Sequence, residues 1–158
     1  MDRRTVVPAV GLALSLAGLG VAIYLTIAHY TSPTVLACSD KGVVNCASVT
    51  TSAESSIVGI PVAVLGLLFF VAMTVLNLPA AWRSTDRRVH LARMGLAVVG
   101  MLMVLWLVYA ELFLIGAICL YCTIVHVLTF ALFVLAVVTW NEVSAQPVRR
   151  PQQAQRRR

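Results

Sequence analysis

Residues 94–140 read MGLAVVGMLMVLWLVYAELFLIGAICLYCTIVHVLTFALFVLAVVTW, a run of 47 residues in which only Glu111 and His126 ionise readily besides thiols and tyrosines. A helix that crosses a bilayer needs about 20 predominantly apolar residues. The run therefore holds two crossings with a tight turn, expected at Gly116. One crossing is expected to end near Phe113 and the next to begin around Ile118. Cys119-Leu-Tyr-Cys122 stands at the start of the second. Two cysteines three apart share one helix face, a turn above each other. Thiols that close can cycle between dithiol and disulfide.

Composition points to the same class. The chain has 158 residues, 60% hydrophobic and 11% charged, against about 45–50% and 25% in soluble domains. Mean hydropathy is +0.92. An integral membrane protein is expected; a soluble helical core would need polar outer faces that these runs lack. The net charge of +6 does not indicate nucleic acid. Its basic residues fall in three short zones: Arg3 and Arg4; Arg83, Arg87, Arg88 and Arg93; and Arg149, Arg150, Arg156, Arg157 and Arg158, with only Lys41 elsewhere. Apolar segments separate the zones, which is the positive-inside pattern.

Four crossings account for this spacing, at about residues 9–29, 57–78, 94–113 and 118–140. The fold class expected is an all-α integral membrane protein, a four-transmembrane-helix bundle capped by an extracytoplasmic loop. Residues 1–8 form a cytoplasmic N-terminus, 9–140 the membrane domain, and 141–158 a disordered basic tail, also cytoplasmic. The start resembles a signal peptide, and Val35-Leu-Ala-Cys38 a lipoprotein cleavage site. The first apolar run exceeds the roughly 7–15 residues of a signal core, and His29–Pro33 separate it from the cysteine, so an uncleaved anchor is expected. Thr31–Ser56 is polar and carries Cys38, Cys46, Asp40, Lys41 and Glu54. Its second part suits a turn and a short helix start. Gly59-Ile-Pro61 fits a helix first turn or a kink, and Pro79–Arg93 a basic connector.

In this topology the three basic zones, with Trp82 and Trp140, lie at the cytoplasmic face. Tyr30, Tyr109 and Tyr121 lie near the other face, as interfacial aromatics do. All four cysteines then meet at the non-cytoplasmic, oxidising side. Structural disulfides are one reading of an even cysteine count, with three possible connectivities. A Cys38–Cys46 bridge would contribute roughly 2–3 kcal/mol on the chain-entropy model. Cys119–Cys122 closes almost nothing and makes a poor staple; at a helix N-terminus, where thiolate is favoured at Cys119, it suits redox work better. Zinc binding is a further alternative, but seven residues between Cys38 and Cys46 is wider than structural sites use, and no metal is expected. A rise of about 1.5 Å per residue puts Cys122 about 4.5 Å deeper than Cys119. Cys119 is thus expected within reach of an external thiol and Cys122 toward a lipid-soluble two-electron acceptor, a quinone. His126, a turn further along, is either a packing group or a hydrogen-bond partner for a quinone oxygen. Glu111 is expected as an ordinary exposed interfacial carboxylate, with a part in proton handling as the alternative.

Cys38-x7-Cys46 on the first outer loop, Ser52 six residues on, a Gly-Ile-Pro entry to the second span and Cys119-x-x-Cys122 at the start of the fourth together resemble the vitamin K epoxide reductase family in its small bacterial form. The resemblance covers about residues 9–140. In the unrelated quinone-linked disulfide generators of the DsbB type the membrane-proximal pair comes before the loop pair; here it comes after. The resemblance implies a four-helix bundle around a quinone, with Cys38 and Cys46 as shuttle pair, Cys119 and Cys122 as active-site pair, and Ser52 near the quinone. His126 stands where animal members carry a ligand-contacting tyrosine, and Ser55 near the position of an animal asparagine. Many bacterial members carry a fused thioredoxin-like domain; here a separate partner is expected.

The function expected is a quinone-dependent thiol-disulfide oxidoreductase in the inner (cytoplasmic) membrane. It would reoxidise an extracytoplasmic thioredoxin-fold (DsbA-like) partner and pass electrons through Cys38/Cys46 and Cys119/Cys122 to menaquinone or ubiquinone. The alternatives are reduction of a quinone or quinone epoxide as the main role, and a non-enzymatic membrane scaffold with structural disulfides.

Overall fold

The structure is a computed structural model. It describes residues 3–32, 35–38, 42–84 and 86–144, the side chains of 3, 4 and 141–144 excepted. The expectations for Asp40, Lys41 and the tail from residue 145 fall outside the described residues. A long helix, α1 (Arg3–Tyr30), leads into the polar loop. There Asn45 caps a short helix, α2 (Cys46–Thr50), its side-chain oxygen accepting from the Ser48 N–H at 3.0 Å. A 3-10 turn at Ala53–Ser55 follows. Next comes a hairpin, β1 (Ser56–Ile57) and β2 (Ile60–Pro61), in the register Ser56↔Pro61 and Ile57↔Ile60.

The helix expected to open at Ile57 begins instead at Val62, as α3 (Val62–Leu76). Val58 and Gly59 both take positive φ, 52° and 78°, which is what a two-residue hairpin turn with the right twist requires. A β-branched residue rarely adopts that conformation, so nothing in the sequence announced the turn. After α4 (Pro79–Arg83), Asp86 caps α5 (Arg87–Tyr109) by accepting from the Arg88 N–H at 2.9 Å. This helix starts seven residues before the expected Met94, and it continues as a π-helical segment, Ala110–Ile115, to Gly116. Gly116, at φ 69°, makes the turn. The last helix, α6 (Leu120–Ser144), starts two residues after Ile118 and runs past Trp140 into the segment expected to be disordered.

Arg93, the last residue of the expected basic connector, is buried. Its guanidinium donates to the Leu76 carbonyl from Nε (3.2 Å) and Nη2 (2.5 Å) and lies 3.7 Å from the Trp82 ring centroid. The carbonyl is one of those left without a partner at the end of α3, so the cation closes that helix rather than marking a face.

α3 and α6 both pack on α1, and α5 packs on α6. Phe70, Met73, Ala97, Leu132 and Ala136 form the mid-level core with Ala22. Gly18 admits the Phe70 ring, which a side chain there would meet. Outward, Leu16, Ile27, Leu68, Leu102, Leu105, Val127 and Phe130 are exposed. So much apolar surface is unfavourable in water and suited to lipid. Three helices, Thr5–Tyr30, Arg87–Ile115 and Leu120–Trp140, are long and apolar enough to cross a membrane, and Val62–Leu76 is apolar but shorter. The protein is an integral membrane protein.

Candidate functional site

The polar loop is tied down at three points. Ile118 donates to the Val43 carbonyl at 2.8 Å, and its own carbonyl accepts from the Asn45 N–H at 3.1 Å. This short parallel bridge between Val44 and Ile118 fastens the loop just ahead of Cys46 to the chain just ahead of Cys119. On the other side the Tyr24 hydroxyl, from α1, donates to the Val35 carbonyl at 2.6 Å and accepts from the Ala37 N–H at 3.3 Å. Tyr121 meets Tyr24 edge to face at 5.1 Å, and its hydroxyl reaches the Ala37 carbonyl at 3.4 Å.

The four cysteines gather at this lid. Cys38 and Cys46 are bonded, S–S 2.03 Å, while Cys119 and Cys122 are free thiols. Cys46 and Cys119 are both fully buried in one cluster with Leu25, Ala28, Leu36, Val49 and Ala117, and Cys38 and Cys122 pack against it. The expectation that Cys119 is the exposed member of its pair is therefore corrected. Cys119 is 0% exposed and Cys122 only half-buried. Depth along the helix was a poor guide because the folded loop roofs the shallower sulfur. Cys119 acts as the cap of α6: its sulfur lies 3.4 Å from the Cys122 backbone nitrogen, whose N–H it accepts, and it also faces the Cys122 thiol. Both contacts favour thiolate at Cys119.

Cys122 opens into a cavity of about 400 Å³ bounded by α1, α3, α5, α6 and the loop. Val99, Met103, Leu107, Leu65, Phe69 and Val125 supply apolar walls, while Ser52, Ser55, His126, Glu111, His29 and Glu54 place polar atoms on it. Ser52, Ser55, Cys122 and His126, marked from the sequence, thus share one cavity; Cys38, Cys46 and Cys119 stand beside it. The Ser52 hydroxyl donates to the Val49 carbonyl at 3.0 Å, and that of Ser55 to the Ser52 carbonyl at 2.6 Å. Both protons are therefore engaged by backbone. A flat, apolar ring with two carbonyl oxygens needs an apolar slot of this size with few polar groups. The residues present fit a quinone head group.

Glu111 was expected on an exposed surface and is corrected. It is 6% exposed and lines the cavity together with Cys122, beside the Cys119 backbone. The π-helical turn decides this by burying Ala110 and Glu111 while Leu112, Phe113 and Leu114 face outward. Tyr24 was not singled out at all. Its signal was present, a tyrosine two turns inside the outer end of the first apolar run. No metal-binding group of three or more side chains occurs among the described residues.

A protein-family model described as the vitamin K epoxide reductase family matches residues 9–137. Among curated proteins none matches the chain.

Proposed function

The chain belongs to the vitamin K epoxide reductase family, oxidoreductases of the membrane that work with quinone-type carriers and thioredoxin-like partners, and from that premise we propose that it oxidises an extracytoplasmic thioredoxin-fold thiol protein and delivers the electrons to a membrane quinone. The observation that supports this reading most is the stacking of the two cysteine pairs. The bonded pair belongs to the lid, the free pair lies beneath it, and only Cys122 of the free pair opens into the cavity.

In the proposed route a partner thiolate attacks Cys38, breaking the Cys38–Cys46 bond, and the partner's second thiol then releases it as a disulfide. The freed Cys46 thiolate attacks Cys119 of an oxidised inner pair, and Cys122 leaves as thiolate. Cys38 then attacks Cys46, restoring the lid disulfide and leaving Cys119 and Cys122 reduced. Exchange of this kind is governed by access and by the leaving thiol's acidity, and the cap at Cys119 favours its departure. His126 and the walls of Phe69 and Val125 would hold a quinone, which supplies the acceptance of two electrons and two protons. The lid must lift for the partner and close for the inner step, because one pair serves both an aqueous protein and a membrane cavity.

We place four crossings in the membrane, with α3 as the shortest. Its 15 residues span about 22 Å at 1.5 Å per residue, and the hairpin β1–β2 completes the distance. The lid then faces outside the cytoplasmic membrane, and Arg83, Arg87 and Arg88 face the cytoplasm. The deciding experiment uses purified protein in lipid nanodiscs with a short-chain quinone and a reduced thioredoxin-fold oxidase. Cys122→Ser should stop quinone reduction, and Cys46→Ser, which leaves no lid disulfide for the partner thiolate to attack, should stop oxidation of the partner. Normal quinone reduction by Cys122→Ser would sink the reading. A scaffold with structural bridges predicts no change in thiol state when quinone is added.

A further inference from the structure

Glu111 has no part in the route above, yet it lines the same cavity as the reacting sulfur of Cys122. Three residues after it, Phe113, Leu112 and Leu114 all face outward, with Phe113 73% exposed, while Glu111 itself is turned inward by the π-helical segment Ala110–Ile115. Such segments recur at functional sites because they re-aim a side chain that a regular helix would carry elsewhere. A carboxyl group directed into an apolar, membrane-level cavity is unfavourable unless it has a task or a partner. The groups nearest its charge are the Cys119 N–H and the Cys122 thiol, and Cys122 lines the same cavity. The other titratable groups on the cavity are His126 on α6, His29 on α1 and Glu54 in the loop; α3 and α5 present none among the lining residues.

We propose that Glu111 is the proton acceptor for the Cys122 thiol when the inner disulfide re-forms. This rests on the function proposed above. Closing the Cys119–Cys122 bond forms one S–S bond, breaks two S–H bonds and releases one electron pair with two protons. The quinone is the acceptor of the pair and of both protons, and Glu111 carries the proton that leaves Cys122, returning afterwards to carboxylate. The carboxyl is placed for it: it is buried, turned inward by the π-helical segment, and lines the same cavity as Cys122.

The test uses the full chain in nanodiscs with its inner pair reduced, comparing wild type with E111Q, E111L and E111D. Two quantities are read separately. The first, without quinone, is the rate of Cys122 modification by a membrane-permeant maleimide against pH, resolved by mass spectrometry for each cysteine. The second is single-turnover oxidation of the inner pair by a short-chain quinone. The neutral variants remove a negative charge beside Cys122, so its modification should move to lower pH and run about tenfold faster at a fixed pH. Oxidation should nevertheless slow by about 100-fold, the low end for loss of a positioned base. E111D should keep the wild-type modification profile and recover most of the oxidation rate. E111L suits an apolar site and stands in for E111Q if that variant does not accumulate. The proposal is overturned if a neutral variant oxidises at the wild-type rate, or if modification and oxidation both slow together, as misplacement of Cys122 alone would make them. If the wild-type inner pair is not oxidised by quinone, the proposed function itself fails and takes this step with it.

Discussion

At the scale of single residues, local backbone geometry sets the chemistry that each side chain can perform. Gly116 is the clearest case. At φ 69° it takes the left-handed conformation that costs other residues about 1–2 kcal/mol, and it ends the π-helical segment that aims Glu111. Gly116→Ala should lower the apparent melting temperature in detergent by several degrees, and the Cys122 modification rate should change with it. An unchanged melting curve would mean that the turn carries no such constraint. His126 and Ser52 separate in the same way. The Ser52 proton is engaged by the Val49 carbonyl, whereas no hydrogen bond involving His126 occurs among those described. A net hydrogen bond is worth about 0.5–1.5 kcal/mol. His126→Phe should therefore raise the KM for a short-chain quinone by about 3–10-fold, and Ser52→Ala should raise it less. Equal effects of the two variants would argue that neither ring nor hydroxyl contacts the ligand.

Elements act here as clamps. Tyr24 on α1 holds the loop through Val35 and Ala37, so the lid over Cys119 is closed by hydrogen bonds that a helix supplies. Tyr24→Phe removes both, a loss of about 1–2 kcal/mol in lid closure. Maleimide labelling of the buried Cys119 should then accelerate by about tenfold, and reductant should open the Cys38–Cys46 bond faster. Labelling at the wild-type rate would show that the backbone bridge at Ile118 suffices to hold the lid. At the opposite end Arg93 ties α5 to the Leu76 carbonyl at the end of α3 and stacks on Trp82. Arg93→Met removes hydrogen bonds to a charged group, worth about 1.5–3 kcal/mol, and leaves the Leu76 carbonyl unpaired. Thermal unfolding in detergent should show that loss. A variant as stable as wild type would make Arg93 only another basic residue of the connector.

For the whole molecule the decisive quantity is which side of the bilayer each end faces. The proposed topology puts Val43, in the lid loop, outside and Ser84, between α4 and α5, inside. In a background with the native cysteines replaced by serine, Val43→Cys should react with a membrane-impermeant maleimide in intact cells. Ser84→Cys should react only after permeabilisation. Labelling of both from one side would remove the shared oxidising face on which the electron route depends.

Apolar run length and the interruption of those runs by arginines were enough to read a helical membrane protein, because a bilayer imposes a minimum length on whatever crosses it. The order of the cysteines was enough to suggest the family, and the spacing of Cys119 and Cys122 put both thiols within a turn of each other. Three features were decided only by the folded chain. Roofing of Cys119 depends on Tyr24 and Ile118, which lie far from the loop's cysteines in sequence. The inward turn of Glu111 depends on a change of helical pitch that no residue type announces. The hairpin at Val58-Gly59 places a valine where propensity argues against it. Each arises from contacts or backbone states set by distant partners, and periodicity along a chain records only which face a residue shares, not what the rest of the molecule lays over that face.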